Sequence, residues 1–279
     1  MKNNKHLKIG FINLMPDTQD YHEEMQNVLQ CSDDNFQLHG LRLRSKAYKN
    51  VPAEFINEHY QFIDQVLPDM DCLILSGAPF ETIPYAQVTF WQELSPFLKE
   101  ALEQQLPVFA ICWGALALGE LYGINRELLS DKEFGVFNLQ CDPQWSSALS
   151  EQCSVQLPFS IQARFDAQDV SRLTEQHQLR VIARQNSQIE HAILESHNGI
   201  NLFSIAHPEY GKDRLFNEWQ RDLAMDPHTP KPAGVEINNR SDSWRPFSVI
   251  LFKYWLEKVR TQKSRKELSL VNNSTRISA

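Results

Sequence analysis

The chain has 279 residues, a net charge of −8 at pH 7 from 27 Lys+Arg against 35 Asp+Glu, and a composition of 42% hydrophobic and 22% charged residues. That is apolar material enough for a sizeable core, and an acidic balance without a long Lys/Arg run argues against nucleic acid or an anionic membrane surface as a main partner. The longest apolar runs, residues 72–75 and 108–112, fall far short of the ~20 residues a membrane helix needs, and polar, basic residues 1–8 lead into no apolar stretch of the kind a secretion signal carries.

In chain order, short apolar runs bounded by turn residues alternate with helix-like stretches. A strand is expected at 7–14, a helix at 20–31, a strand at 37–43 and a helix at 52–67. A strand at 71–75, a helix at 88–105, a strand at 107–111 and a helix at 113–121 follow. Strands at 180–184 and 201–206 and a helix at 212–223 come next. Residues 228–245, rich in Pro, Asn and Asp, read as irregular before a last amphipathic helix at 246–259. This alternation implies βαβ units and an α/β fold, a mainly parallel sheet with helices on both faces. There is no Gly/Ser-rich hinge and no internal repeat, so residues 1–260 are expected to form one domain, with polar 261–279 as a frayed or disordered tail. Five cysteines, an odd number without CxxC spacing, point to a reduced, cytoplasmic protein.

The most informative stretch runs from Pro107 through Cys112-Trp113-Gly114 into an apolar helix. A cysteine at a strand-to-helix junction occupies the position of a nucleophile elbow, where a tight turn lifts the side chain above the sheet edge. The helix N-terminus is expected to lower the thiol pKa. A buried space-filling cysteine is the competing reading, and on position alone the two stand about even. Cys31, Cys72, Cys141 and Cys153 carry no such context and read as structural.

A thiol nucleophile needs a base. His207-Pro208-Glu209 follows the apolar run 201–206, and in extended backbone residues i and i+2 point the same way, so Glu209 can orient the His207 ring. Paired with Cys112, His207 reads as the proton acceptor rather than as a structural histidine. Gly77-Ala78-Pro79 closes the strand at 71–75 in a tight turn. Beside the elbow, backbone N–H groups of Ala78 and Trp113 can face an oxyanion.

Further short motifs follow in order along the chain. They are Ile12-Asn13-Leu14-Met15-Pro16, Lys49-Asn50-Val51-Pro52, Tyr122-Gly123-Ile124, Asp131-Lys132-Glu133-Phe134-Gly135-Val136, Arg221-Asp222 and Trp244-Arg245. With Gly77-Ala78-Pro79, Cys112-Trp113-Gly114 and His207-Pro208-Glu209-Tyr210, the ordered set resembles the homoserine O-acyltransferase family, which is built on the fold of class I glutamine amidotransferases. The resemblance implies Cys112 as the acyl-thioester nucleophile, His207 as base with Glu209 as its partner, and Lys132, Ser160 and Arg221 as substrate contacts. It also implies that Glu81 tunes acyl choice, a carboxylate there going with acetyl-CoA and a glycine with succinyl-CoA. Acetyl-CoA is then a co-substrate, with no permanently bound cofactor and no metal. The other expected partner is a small hydroxy amino acid, and a homodimer is compatible with this reading.

Two departures bear on the acceptor. Phe159-Ser160-Ile161 stands where the family usually carries His-Ser-Arg, and Asp17-Thr18 stands where it carries paired basic residues. L-homoserine is the first expectation and L-serine the rival, since one methylene is worth only ~1–3 kcal/mol in a pocket. A hydrolytic glutaminase would carry Gly-x-Cys-x-Gly at the elbow, and this chain does not.

Overall fold

The computed structural model describes residues 6–33, 35–142, 155–185 and 188–277. Its strands are β1 (Leu7–Ile12), β2 (Phe36–Arg42), β3 (Tyr60–Phe62), β4 (Cys72–Leu75), β5 (Val108–Ile111), β6 (Arg126–Cys141), β7 (Gln156–Phe165), β8 (Leu179–Gln185), β9 (His191–Ser196) and β10 (Leu202–Ser204). Its helices are α1 (Thr18–Ser32), α2 (Ala53–His59), α3 (Trp91–Glu103), α4 (Trp113–Leu121), α5 (Ala167–Glu175), α6 (Arg214–Met225) and α7 (Arg245–Ile277).

All ten strands join one sheet in the order β3-β2-β1-β4-β5-β10-β9-β8-β6-β7. From β3 to β10 the pairings are parallel; from β10 to β7 they are antiparallel. In β4 and β5 every residue is buried, which is why their sequences are apolar throughout instead of alternating. Helices α1 and α7 pack on each other, as do α3 and α4. Phe109 of β5 meets Phe252 and Trp255 of α7 at ring distances of 4.8 and 5.5 Å. The expected α/β sheet is therefore present, and its parallel half ends at the cysteine elbow. No helix among the described residues is long and apolar enough to cross a membrane.

Three expectations are corrected. The helix expected at 52–67 stops at His59, and Tyr60–Phe62 become the edge strand β3, followed by two short 3-10 turns. Tyr60 and Phe62 suit a strand, and pairing with β2 outweighs the local helical pattern. Residues 126–141 and 156–165 form a long antiparallel hairpin, with an irregularity between Leu128 and Glu133, that the polar, charge-rich β6 sequence conceals. The last helix runs past 259, where a frayed tail was expected from 261, and continues to Ile277. Its polar side chains dock on the segments just before β1 and β4 and on the end of α3: Lys263 Nζ bonds the Asp71 carboxylate at 2.7 Å and the His6 carbonyl at 2.9 Å, and Lys266 Nζ reaches the Gln104 carbonyl at 3.1 Å.

Residues 226–244 carry no helix or strand beyond one bridge, Gly135 to Ala233. Gly135 sits at φ +142°, and a Cβ there would lie 2.3 Å from the Ala233 carbonyl oxygen. The closest approach near the elbow is at Gly114, where a Cβ would lie 2.5 Å from the Ser76 carbonyl oxygen and 2.8 Å from that of Leu75. Backbone atoms cannot swing away as a side chain can, so overlap outweighs the ~1 kcal/mol that alanine normally gains over glycine in a helix. Gly114→Ala is expected to destabilise the fold by about 1–3 kcal/mol in urea unfolding; unchanged stability would mean that α4 does not depend on this approach.

Candidate active site

Strand β5 passes into α4 through a single residue, Cys112, at φ 53° and ψ −120°. A non-glycine residue there is strained, and it is held by its N–H donating to the Ser204 carbonyl at 2.7 Å. The turn delivers the buried sulfur to the C-terminal edge of the parallel strands, 3.9 Å from Glu81 Oε1 and 3.9 Å from the Ser160 carbonyl oxygen. The expectation of a lowered thiol pKa is overturned. Burial pushes the Cys112 thiol well above its ordinary value and the Glu81 carboxylate adds to this, while the Trp113 N–H opposes it without prevailing.

His207 follows β10, with its backbone N–H donating to the Pro158 carbonyl at 2.8 Å. Its ring is buried, stacks on Tyr210 with centroids 4.0 Å apart, and pairs through Nδ1 with Glu209 Oε1 at 2.7 Å. Tyr21 donates to the same carboxylate oxygen at 2.6 Å. Pairing with a carboxylate assigns the hydrogen to Nδ1 and leaves Nε2 as the basic nitrogen. Nε2 is buried and makes no hydrogen bond within the described protein. Gly77 lies against both base and thiol: a Cβ there would crowd Cys112 Cβ at 3.1 Å and touch Cys112 Sγ and His207 Cε1 at 3.5 Å.

A cavity of about 540 Å³ lies over the elbow, and Ala78, Glu81, Lys132, Ser160 and Arg221 line it together with Cys112 and His207. Glu81, for which a solvent-facing loop acid was the alternative, is turned inward; burial pushes its carboxyl above the usual range. Lys132 Nζ lies 3.0 Å from Asp222 Oδ2, and Arg221 donates to Asp222 Oδ1 at 2.8 and 2.9 Å. One carboxylate thus holds both cations side by side. Burial alone would raise Asp222, but the Lys132 and Arg221 bonds outweigh it and keep the group low. The Ala78 N–H makes no hydrogen bond among the described residues.

The sequence reading missed a buried acid of the cavity. Glu218 of α6 is buried and accepts from Tyr210 Oη at 2.7 Å and from Ser160 Oγ at 2.6 Å. Burial raises it, but Arg214, 3.4 Å away, and His207 outweigh that and hold it ionised. Its signal was its place three residues before Arg221, on the same face of one helix. Cys31, Cys72 and Cys141 are free and stand apart from this cavity; Cys153 lies outside the described residues.

Residues 1–265 match the homoserine O-succinyltransferase family. Over 266 residues the chain is 28% identical to a homoserine O-succinyltransferase of Shewanella baltica, covering 90% of this chain and 81% of that one. Over 257 residues it is 29% identical to a homoserine O-acetyltransferase of Bacillus cytotoxicus, covering 90% and 84%. Among solved structures, a glutamine amido transferase from Methylobacillus flagellatus superposes with a TM-score of 0.61 over 91% of this chain and 95% of that one. At 16% identity that likeness speaks for the fold alone. A match that leaves out only the end of α7, on an amidotransferase-like fold, has one reading: the chain belongs to the homoserine O-succinyltransferase family of acyltransferases.

Proposed function

We propose that the enzyme moves an acetyl group from acetyl-CoA to the side-chain hydroxyl of L-homoserine through a thioester on Cys112. The observation that carries this reading is one cavity bounded by a thiol, an oriented imidazole, two cations and an inward-facing carboxylate 3.9 Å from the sulfur. In the first half-reaction His207 Nε2 takes the thiol proton as the sulfur attacks the donor carbonyl carbon. The oxyanion is met by the N–H groups of Trp113 and Ala78. Collapse breaks the bond to CoA, and His207 passes its proton to the leaving sulfur, so CoA departs as the free thiol and the imidazole is neutral again. In the second half-reaction the acceptor oxygen attacks the acetyl carbon, its proton passes to His207, and the freed Cys112 sulfur recovers that proton. Glu209, held by Tyr21, stabilises the imidazolium in both halves.

A resting thiol with a raised pKa suits this order, since it is spent only when His207 can remove its proton at a bound donor. Arg221 and Lys132 suit the acceptor carboxylate, which a guanidinium can bind bidentately, and ionised Glu218 suits its ammonium. The named relatives divide between succinyl and acetyl transfer, so donor choice rests on Glu81. A carboxylate beside the acyl pocket fills space and repels the terminal carboxylate of a succinyl group. Homoserine is preferred over serine because Phe159 packs on Phe137 in the core rather than into the cavity. The cavity therefore does not lose that ring's volume.

Four outcomes test the reading. Cys112→Ala is expected to abolish transfer while the parent protein, given acetyl-CoA alone, gains one acetyl mass at Cys112; full activity in the alanine variant rules out the thioester. The parent enzyme should strongly prefer acetyl-CoA, with Glu81→Gly admitting succinyl-CoA, as measured by thiol release with each donor. Equal turnover of both donors by the parent removes Glu81 from the account. Arg221→Ala should raise the acceptor KM at least about tenfold, as loss of a charged hydrogen bond predicts, with little change in the acetyl-CoA KM. Competition between homoserine and serine in the same assay decides the acceptor, and a larger kcat/KM for serine reverses the choice.

A further inference from the structure

We propose that Arg126 is a positioning residue for donor selection, clamping the loop that carries Glu81; this rests on the reading of Glu81 given above. Glu81 sits in the connection between β4 and α3, and no cation lies within ion-pair distance of its carboxylate among the described residues. Where that carboxylate stands is therefore set by the backbone beneath it. The backbone bonds of this connection are local. Phe80 N–H donates to the Ala78 carbonyl at 2.8 Å, Ile83 N–H to Phe80 at 3.1 Å, Gln87 N–H to Pro84 at 2.8 Å and Val88 N–H to Tyr85 at 3.0 Å.

Among the described residues, the hydrogen bonds that tie the backbone of 79–87 to another element come from Arg126 at the start of β6. One guanidinium nitrogen donates to the Phe80 carbonyl at 3.2 Å and another to the Ile83 carbonyl. These are the carbonyls on either side of Glu81 and Thr82. The guanidinium also lies over the Tyr85 ring, 4.3 Å from its centroid. Tyr85 in turn stacks on Trp91 at 4.5 Å, and Phe80 packs edge-on to Phe90 and Trp113 at 5.4 and 6.3 Å. The apolar side chains thus anchor the two ends of the loop, and the guanidinium fork spans the turn between them. Arg126 forms no ion pair among the described residues, so its charge is directed at neutral loop carbonyls. Such a fork holds two acceptors in one fixed planar geometry, which the rotating ammonium of a lysine does not impose.

Releasing the fork frees the Glu81 carboxylate to move from the acyl pocket, and the repulsion that rejects a succinyl chain falls with distance. The test compares donor selectivity, kcat/KM for acetyl-CoA over that for succinyl-CoA, in the parent, Arg126→Met, Arg126→Lys, Glu81→Gly and the double variant Arg126→Met/Glu81→Gly. Arg126→Met keeps the apolar stem and is expected to lower the ratio about tenfold, the scale of one charged hydrogen bond, with the homoserine KM within about twofold. Arg126→Lys should fall between parent and Met. In the Glu81→Gly background, Arg126→Met should leave the ratio unchanged, because two residues acting through one group are not additive. A ratio kept by Arg126→Met but lost in Glu81→Gly overturns the clamp and leaves the reading of Glu81 standing. A ratio unchanged in Glu81→Gly overturns both. If Arg126→Met fails to fold, the Lys variant decides alone: a parental ratio overturns the clamp, and a reduced ratio with an unaltered homoserine KM supports it.

Discussion

The candidate site depends on one backbone constraint: β5 becomes α4 within a single residue, and that residue carries a thiol. Holding Cys112 at φ 53° costs about 1–3 kcal/mol. The cost is met by what surrounds it, two fully buried strands and a helix buried from Trp113 to Gly119. Burying apolar side chains contributes about 1.5–3 kcal/mol each, so this part of the core can hold a strained residue in place. Gly77 and Gly114 follow from the same turn: the first lies against both sulfur and imidazole, the second lets the helix start against the end of β4.

Charge in the site is arranged around burial. Glu209, Glu218, Glu81 and the Cys112 thiol are four acidic groups in one low-dielectric region, and each is handled differently. Glu209 accepts from Tyr21 and His207, both at short range. Glu218 has Arg214, Tyr210 and Ser160 and stays ionised. Glu81 has no ion-pair partner among the described residues, and its carboxyl is pushed up. The thiol, beside Glu81, is raised well above its ordinary value by burial and by that carboxylate, and in the mechanism proposed above His207 takes its proton. A buried charge without its partner costs several kcal/mol, so Arg214 is as much a part of the site as the groups it supports, although it touches none of the reacting atoms proposed here.

Likeness to a glutamine amido transferase at a TM-score of 0.61 and 16% identity separates scaffold from chemistry. The shared part is the sheet with its helices. The cavity above the elbow in this chain is lined by a carboxylate from the β4–α3 loop, a lysine from the β6–β7 hairpin and an arginine from α6. These side chains come from elements at the rim of the sheet, which can change without disturbing the core.

Much of this was present in the sequence, because periodicity and turn chemistry are local. The parallel strands around β4 and β5, the elbow at Cys112 and the His207–Glu209 pair are each encoded within a few residues. Tertiary structure alone decided the rest. Residues 60–62 became a strand because β2 offered an edge; the charged hairpin β6–β7 formed because each half pairs with the other; and α7 extended because Lys263 and Lys266 found a carboxylate just before β4 and a carbonyl at the end of α3. Glu218 joined the site because α6 brings it within a hydrogen bond of Ser160 on β7, and the Cys112 thiol is raised because folding buries it and sets Glu81, far away in sequence, beside it. The division has one physical cause: local sequence governs backbone preference and burial pattern, whereas ionisation and side-chain encounters depend on distances that only the folded chain creates.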